Sequence, residues 1–312
     1  MKKIILYFPL ILALLLTGCA TPEKKADEPA TRNVIFLIGD GMGLNHILAA
    51  MTVHQGPLAL EDATHVGIQK THSADDYITD SAASGTAMAC GTKTSNGSIG
   101  VDTTGNELVS ILKIAEENGY ATGLVSSSAI THATPAAFIA NEKSRHDYEA
   151  IAADFLKTDI DVFIGGGQDH FYNREDGRDL PTDLEEKGYT VARSMAEVEK
   201  VTSGKLAGLT AAVHNPPAAE GRADMLPVAT QKALDLLDDN PEGFFLMVEG
   251  SQIDWAGHAN DEEYLISETL DFNKVVEIVM DFAREDKETL VVITSDHETG
   301  GFVVLNGNYQ EQ

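Results

Sequence analysis

Basic side chains are scarce in this sequence of 312 residues. It has 22 Lys and Arg residues against 49 Asp and Glu residues, a formal net charge of −27. Because nucleic acids are polyanions, a surface of this charge excludes a nucleic-acid polymer as a partner. The same surface repels a small anionic substrate unless cations are held at the binding site. Binding of a small anion therefore requires positive charge at the site.

Long apolar runs are also scarce. A membrane-spanning helix needs about 20 apolar residues, and the longest run, residues 4–16, has 13. Lys2 and Lys3 precede this run and small residues follow it, which is the order of a secretory signal; an N-terminal anchor helix is the alternative. The remaining sequence shows no run of that length and no repeat of fixed period.

The segment LTGC at residues 16–19 resembles a bacterial lipobox. The resemblance implies cleavage before Cys19 and a lipid on its thiol, so we predict a lipoprotein signal peptide over 1–18 and a flexible tether over 19–32. We expect an exported protein, anchored by lipid to a bacterial membrane and facing the periplasm or the exterior. With Cys19 modified, Cys90 is the only other cysteine, which excludes an intrachain disulfide even in an oxidising compartment.

Apolar runs that end in turn residues alternate with amphipathic segments along the rest of the chain. Strands are predicted in "NVIFLIGDG", "YATGLVSSS", "DVFIGGG", "GFFLMVEG" and "ETLVVITSDHETGG". Helices are predicted in "ELVSILKIAEENG" and over 147–157, 227–237 and 261–284. The polar, Gly-rich residues 166–188 are predicted to be a surface excursion. The alternation predicts one α/β domain over 33–312, a three-layer α/β/α sandwich with a mostly parallel central sheet.

Acidic and histidine side chains follow three of the predicted strands. Asp40 ends the first, Glu249 ends the fourth with Asp254 close behind it, and Asp296 and His297 follow the fifth. Ligands bind beyond the carboxyl ends of the strands in open α/β sheets. Carboxylates that meet there repel one another without a cation, and carboxylate with imidazole suits zinc. The set predicts a metal site, although each pair by itself is also typical of a loop or a helix cap.

Two local patterns extend this prediction. Asp254 and His258 are four residues apart, which places both side chains on one side of a helical turn. Asp80 and Ser81 precede the small residues of "SAASGTAMACG". That stretch predicts a tightly packed helix whose N-terminus, with its free N–H groups, faces an anion.

Five motifs resemble those of the alkaline phosphatases, the metal-dependent phosphomonoesterases. They are, in order, "NVIFLIGDGMG", "TDSAASGTAMACGTKTSNGSIGVD", "THATPAAFIANEKSR", "FFLMVEGSQIDWAGHAND" and "VVITSDHETGG". They extend over nearly all of the chain from Asn33 to Gly301, and five ordered motifs are far more specific than one. The resemblance implies that family's fold, small phosphate monoesters as substrates, two zinc ions and one magnesium ion as cofactors, and a homodimer.

The resemblance also implies roles for individual residues. Ser81 would be the nucleophile that becomes phosphorylated, and Arg145 would clamp the phosphate oxygens. The implied metal ligands are Asp254 and His258 for the first zinc ion, Asp40, Asp296, His297 and Ser81 for the second, and Asp40, Thr134 and Glu249 for magnesium. The implied reaction consists of two in-line displacements with a phosphoserine between them.

The sequence departs from the family pattern at three points. His132 and Trp255 stand where the best-known bacterial branch has Asp and Lys, and we expect both to support the site without being metal ligands. In the family the first zinc ion takes another histidine downstream, but no histidine follows His297. We therefore expect the domain to be incomplete at its C-terminus. Upstream, His46, His72 or His132 could replace that ligand, but no motif supports this.

Two other functions stay open at this level. A phosphodiesterase or a sulfatase could use the same fold, although a sulfatase would carry Cys or Ser followed by Pro and Arg, and Ser81 is followed by Ala-Ala-Ser. A lipoprotein that binds phosphate or metal without catalysis is the non-enzymatic alternative. The missing third ligand of the first zinc site favours it.

Overall fold

A sheet of seven parallel strands forms the centre of the computed structural model, which describes residues 31–305. The strands are β1 (Asn33–Gly39), β2 (Ala121–Ala129), β3 (Val162–Gly166), β4 (Tyr189–Ala192), β5 (Lys205–Leu209), β6 (Phe244–Gly250) and β7 (Thr289–Ser295). Their order across the sheet is β4-β5-β3-β2-β6-β1-β7, and every pairing is parallel. The predicted α/β class with a mostly parallel sheet is therefore confirmed.

Helices connect these strands throughout the described range. They are α1 (Leu44–Val53), α2 (Ser81–Cys90), α3 (Ile111–Glu117), α4 (Ala133–Ile139), α5 (Tyr148–Asp154), α6 (Gln168–Tyr172), α7 (Leu180–Glu186), α8 (Met195–Val198), α9 (Met225–Leu237), α10 (Gln252–Ala259) and α11 (Glu262–Asp286). Short 3₁₀ segments lie at Ala59–Asp62, Phe155–Lys157 and Ala218–Glu220. None of the helices between residues 31 and 305 combines the length and the apolar character needed to cross a membrane.

The sheet buries apolar side chains on both of its faces. Along β1, Ile35 and Leu37 belong to the apolar cluster that includes α9 and α11, whereas Ile38 belongs to the cluster on the opposite face, which includes residues of α2 to α7. This alternation follows the two-residue period of a strand. Because helices cover both faces, the strands read as continuous apolar runs. The two helical layers and the sheet form the predicted three-layer sandwich.

The strand prediction omits the sheet edge formed by β4 and β5. β4 has only four residues, and β5 has the sequence KLAGL, so neither forms a clear apolar run. Residues 166–188 form no separate domain, but they contribute more to the core than the predicted surface excursion would. The segment contains α6 and α7, and it buries Phe171, Leu180 and Leu184 completely in the core.

The predicted signal peptide, Cys19 and the tether as far as residue 30 lie outside the described residues and stay predictions. Within the described range, Cys90 is a free cysteine near the C-terminus of α2. Burial raises the pKa of the Cys90 thiol to about 11. The thiol is therefore largely protonated at neutral pH and is a poor nucleophile.

Candidate active site

The predicted site residues meet at the carboxyl ends of four neighbouring strands. The order β2-β6-β1-β7 places these strand ends side by side. The residues that each strand contributes are His132 and Thr134 after β2, Glu249 at the end of β6, Asp40 after β1, and Asp296 and His297 after β7. The topology of the sheet therefore brings together side chains that are up to 257 positions apart in the chain (297 − 40 = 257).

Ser81 is the first residue of α2, and its hydroxyl lies among these groups. Its Oγ atom is 3.4 Å from Asp40 Oδ1 and 3.4 Å from His297 Nε2. Asp80 caps the helix by accepting a hydrogen bond from the Ala83 N–H at 2.9 Å. The α2 helix packs closely on α4 because Gly85 faces Ala137 and Thr134, where a Cβ would be 3.2 Å from Ala137 Cβ. The small residues thus serve close packing, and the helix N-terminus opens toward the site.

The His297 ring and the carboxylates of Asp296 and Asp40 present acceptor atoms near the Ser81 hydroxyl. His297 Nε2 is 3.3 Å from Asp296 Oδ2 and 3.6 Å from Asp40 Oδ1. The Thr299 hydroxyl donates to Asp254 and can therefore only accept from His297 Nδ1, which lies 3.0 Å away. Nδ1 of His297 thus carries the proton, and Nε2 presents a lone pair to the carboxylates.

A cation fits this arrangement. The Oδ2 atom of Asp40 is fully buried and has no hydrogen-bond partner among residues 31–305. Burial first, and then the neighbouring carboxylates of Asp296, Asp254 and Glu249, raise the pKa of Asp40 well above its ordinary value. Buried carboxylates, one of them with an oxygen that has no hydrogen-bond partner, and an imidazole lone pair converge here, and these are ligands that suit a divalent metal ion.

Asp40 also belongs to a second group of potential metal ligands. One ligand atom each of Asp40, His132 and Glu249 lie within 4.8 Å of one another. Glu249 Oε2 accepts hydrogen bonds from Ser251 at 2.6 Å and Ser126 at 2.8 Å, while its Oε1 has no partner within the described residues. Burial raises the pKa of Glu249 to about 7. These oxygens suit a hard cation.

Two further predicted residues border this second group. The Thr134 Oγ1 atom is also buried and unpartnered in the part of the chain that the structure describes. His132 is itself one of the three potential ligands of the second group, whereas the sequence predicted that it would support the site without binding a metal ion. Burial, and then the charge of Arg145, lower the pKa of His132 to about 3, so the ring is neutral.

The residues predicted for the first zinc site are less complete. Asp254 lies in the first turn of α10, within 4.8 Å of Asp40 and His297. His258 Nε2 is 3.5 Å from Asp254 Oδ1, but the His258 side chain is 71% exposed. Among residues 31–305, His258 belongs to no group of three potential metal ligands.

The upstream histidines do not complete that site in the described residues. His46 Nδ1 accepts a hydrogen bond from the Gly43 N–H at 2.8 Å, so its buried Nε2 carries the proton and cannot bind a metal ion. His72 lies beside the Ser73 carbonyl, in the chain segment that precedes α2. Neither ring joins a ligand group with Asp254 in the described range.

Arg145 lies in the loop before α5 and is held next to the nucleophile. Its Nη1 donates to Asp80 Oδ2 at 2.9 Å, and the two side chains are only 19% and 26% exposed. The same Oδ2 accepts the Gly97 N–H at 3.0 Å. The guanidinium thus lies beside the N-terminus of α2, where both could bind the oxygens of one phosphate group.

Three rings form a cluster at the second group, and only two of them are among the site residues predicted from the sequence. The ring cluster consists of His132, His214 and Trp255, and its centroids are 4.7 to 5.8 Å apart with the rings nearly perpendicular. His214 belongs to the loop between β5 and α9. Burial lowers its pKa, and no motif in the sequence marks it.

Several hydroxyl groups that orient the carboxylates are not among the site residues predicted from the sequence. Ser84 donates to Asp296 Oδ2 at 3.1 Å, and Thr299 donates to Asp254. Both residues lie inside the five motifs. Their spacing from predicted site residues is the sequence signal, since Ser84 follows Ser81 by one helical turn and Thr299 comes shortly after His297. They hold the carboxylate oxygens in place, as the partners of metal ligands do.

Comparison with known proteins identifies the family. The family model described as Alkaline phosphatase matches residues 31–311. The chain belongs to the alkaline phosphatase family. The resemblance drawn from the five motifs is therefore confirmed.

Curated members of the alkaline phosphatase family are similar over most of this chain. Alkaline phosphatases 4 and 3 of Bacillus subtilis (strain 168) are 42% and 41% identical over 90% and 91% of it. The chain spans 64% and 65% of the length of these two relatives. The alkaline phosphatase of Escherichia coli (strain K12) is 33% identical, with 93% of this chain and 75% of that protein covered.

Solved alkaline phosphatase structures share the fold. The enzyme of the Antarctic bacterium TAB5 superposes with a TM-score of 0.85 at 41% identity, covering 88% of this chain and 81% of that one. The cold-active enzyme of a Shewanella species gives 0.81 at 40% identity, with 89% and 71% covered. At these identities the likeness concerns both the fold and the family.

Proposed function

We propose that this protein hydrolyses phosphate monoesters through a phosphoserine at Ser81. The observation that carries the proposal is the position of the Ser81 hydroxyl, 3.4 Å from both Asp40 Oδ1 and His297 Nε2 at the N-terminus of a buried helix. Membership of the alkaline phosphatase family supports it.

We infer that two zinc ions and one magnesium ion serve the reaction. Asp40, Asp296 and His297 with Ser81 would hold one zinc ion, Asp254 and His258 would contribute to the other, and Asp40, Thr134 and Glu249 would hold magnesium. Metal ions in such sites supply Lewis-acid stabilisation of the attacking and leaving oxygens. A His-to-Asp variant of the TAB5 enzyme is described with Mg bound in its M3 site, which supports a magnesium ion in this family.

The chain's own residues bind and orient the phosphate. Ser81 Oγ attacks phosphorus, the bond to the ester oxygen breaks, and the alcohol leaves with a proton from solvent. Water then attacks the phosphoserine, which returns the Ser81 hydroxyl and releases inorganic phosphate. The Ser81 proton, which faces Asp40 and His297, passes to solvent as Oγ attacks, and this release balances the proton that the leaving alcohol takes up. Arg145 and the free N–H groups of α2 hold the non-reacting oxygens.

Replacement of the nucleophile tests the proposal. In Zn²⁺- and Mg²⁺-loaded protein, Ser81→Ala should reduce turnover of p-nitrophenyl phosphate by at least about 10³-fold, because the covalent route is lost. Ser203→Ala is the matched control, since Ser203 is exposed in the turn before β5, at the opposite end of the sheet. Wild-type turnover by Ser81→Ala would show that Ser81 is not the nucleophile.

A metal- and phosphate-binding protein without catalysis is the second candidate function. The exposure of His258, outside every group of three ligands in the described residues, favours it. Metal counting by native mass spectrometry together with phosphate release separates the two candidates, because tight binding without turnover would support only the second. A p-nitrophenyl diester used in the same assay separates a phosphodiesterase from a phosphomonoesterase.

We also propose that the protein is exported and lipid-anchored through Cys19, on the support of the sequence pattern alone. Cys19→Ala should release the protein from the membrane fraction and abolish incorporation of labelled fatty acid. The homodimer implied by the family resemblance is a further proposal, which sedimentation of the purified protein would test.

A further inference from the structure

The ring cluster presents half-buried aromatic surface beside the candidate active site. Trp255 and His214 are half-buried, whereas His132 beneath them is 8% exposed. The His214 and Trp255 ring centroids are 4.7 Å apart with an interplanar angle of 74°. Aromatic residues make up only 6% of the chain, and Trp255 is its single tryptophan. The cluster is therefore a local concentration of planar groups in a chain that has few.

The backbone around His214 is fixed by glycines and hydrogen bonds. A Cβ on Gly166 would collide with the Val213 carbonyl oxygen, so only glycine lets this loop cross the end of β3. His214 Nδ1 accepts the Ala129 N–H at 3.0 Å, at the irregular end of β2. That bond leaves the imidazole proton on Nε2 and holds the ring in one orientation.

The same loop is joined to the helix that carries Trp255. Gln252 Nε2, at the start of α10, donates to the Asn215 carbonyl oxygen at 2.8 Å. Farther along, the buried Arg222 side chain binds Glu268 at 2.5 Å and Asp271 at 2.8 Å on α11. His214 and Trp255 are thus held relative to each other by two elements that are themselves anchored.

The ring cluster is connected to the nucleophile through short contacts. Its buried member, His132, has a ligand atom within 4.8 Å of those of Asp40 and Glu249, and Asp40 contacts Ser81. A phosphate bound at Ser81 and Arg145 would therefore lie at the same edge of the sheet as the rings of Trp255 and His214, with Asp40 and His132 between them. The organic part of a phosphate ester extends away from phosphorus and would reach this surface.

We propose that the ring cluster is a subsite for the leaving group and that it selects esters with a planar, aromatic part, nucleoside monophosphates above all. The inference rests on the proposed phosphatase function and names its substrate class. A base stacks on indole and imidazole rings without needing charge, which suits a chain of net charge −27. A sugar phosphate lacks the group that would occupy the subsite.

Two substrates that differ only in the base test this subsite. Adenosine 5′-monophosphate and ribose 5-phosphate release the same kind of primary alcohol, so the chemical step is matched. In the metal-loaded wild type, kcat/KM should be about five-fold or more higher for the nucleotide, since stacking on one ring is worth roughly that factor or more. His214→Ala should bring the ratio toward one, and His214→Phe should retain most of it.

The control variant is His65→Ala, which removes an exposed imidazole from a different surface and should leave the ratio at its wild-type value. A wild-type ratio of one would overturn the subsite while leaving the phosphatase proposal intact. A ratio that is unaffected by His214→Ala would also overturn the part assigned to His214.

Binding can be measured without turnover because Trp255 is the only tryptophan. Titration of Ser81→Ala protein with adenosine should quench the indole fluorescence to saturation, whereas ribose should leave it unchanged. Equal and negligible quenching by both compounds would overturn the subsite. If metal-loaded wild type hydrolyses neither ester but adenosine still quenches, the phosphatase proposal fails and the base-binding surface stands.

Discussion

The Asp80 carboxylate caps the helix that begins at Ser81 and also accepts a hydrogen bond from the Arg145 guanidinium at 2.9 Å. One side chain thereby orders two parts of the candidate active site. The cap fixes the first turn of α2, where the nucleophile lies. The ion pair holds Arg145 in the position from which it would bind phosphate.

Loss of the Asp80 carboxylate should therefore affect both stability and phosphate affinity. We expect Asp80→Ala to lower the free energy of unfolding by about 1 kcal/mol, the usual value of an N-cap. We also expect the inhibition constant of inorganic phosphate to rise about two- to ten-fold, because an unrestrained arginine loses rotamer freedom on binding. Urea unfolding and steady-state inhibition measure the two effects.

Asp261→Ala is the matched control for this variant. Asp261 caps α11 in the same way, by accepting the Tyr264 N–H at 3.0 Å. It should therefore lower stability by a similar amount and leave the inhibition constant at the wild-type value. An unchanged inhibition constant in Asp80→Ala as well would show that the ion pair has no part in phosphate binding.

The buried Glu249 predicts a pH dependence of stability in metal-free protein. Burial raises its pKa from 4.5 to about 7, so between these values the native state binds more protons than the unfolded state. Its contribution to stability is complete below pH about 4.5 and is lost as the pH rises to about 7. We expect the stability of wild type relative to Glu249→Gln to fall by an amount of the order of 3 kcal/mol across this window.

The comparison with Glu249→Gln removes contributions from other buried groups, such as His132. Chemical unfolding of EDTA-treated protein at several pH values measures it, with the exposed Glu199→Gln as a control that should follow wild type. Saturating Mg²⁺ should flatten the dependence, because the cation replaces the proton. Parallel pH profiles of wild type and Glu249→Gln without metal would contradict the prediction.

The buried ion cluster at Arg222 predicts a strong effect on stability. Arg222 and Glu268 are each 1% exposed at the side chain, and Asp271 is 4% exposed. Arg222→Leu leaves the buried Glu268 carboxylate without its cation and Asp271 with only Lys274, 3.9 Å away, so we expect a loss of about 3–5 kcal/mol. Arg284→Leu is the control, since Arg284 is 50% exposed and its ion pairs should contribute at most about 1 kcal/mol. Equal losses in urea unfolding would contradict the argument.

The strands nearest the site could be predicted from sequence, and those far from it could not. β1 and β6 are largely buried on both faces, so hydrophobic burial makes each an apolar run, whereas β2 is fully buried with small residues after its apolar start. β4 and β5 form the other side of the sheet, and they are short and pair mainly with one another and with β3. Their positions follow from tertiary packing and not from a local pattern.

Some of the site residues could also be predicted from the sequence, and others could not. Asp40, Glu249 and Asp296 could be predicted because each ends or follows an apolar run. A charged side chain at such a position is unfavourable unless it has a partner of opposite charge. His214 could not, since an imidazole in a loop has no periodicity and its neighbours arise only when the β5–α9 loop crosses β3. The exposure of His258 is likewise set by the position of the α10 helix and not by its spacing from Asp254.

Asp296 and His297 follow β7, which is the outermost strand of the sheet formed by the described residues. Among residues 31–305, β7 pairs only with β1, and most of its residues are half-buried. Local unfolding of this strand would carry both ligands out of the site together, so the binding of a cation includes the free energy of closing the sheet edge. A bound metal ion would thus hold β7 against β1. Hydrogen exchange of the β7 amides would be slow with the ion present and fast after its removal.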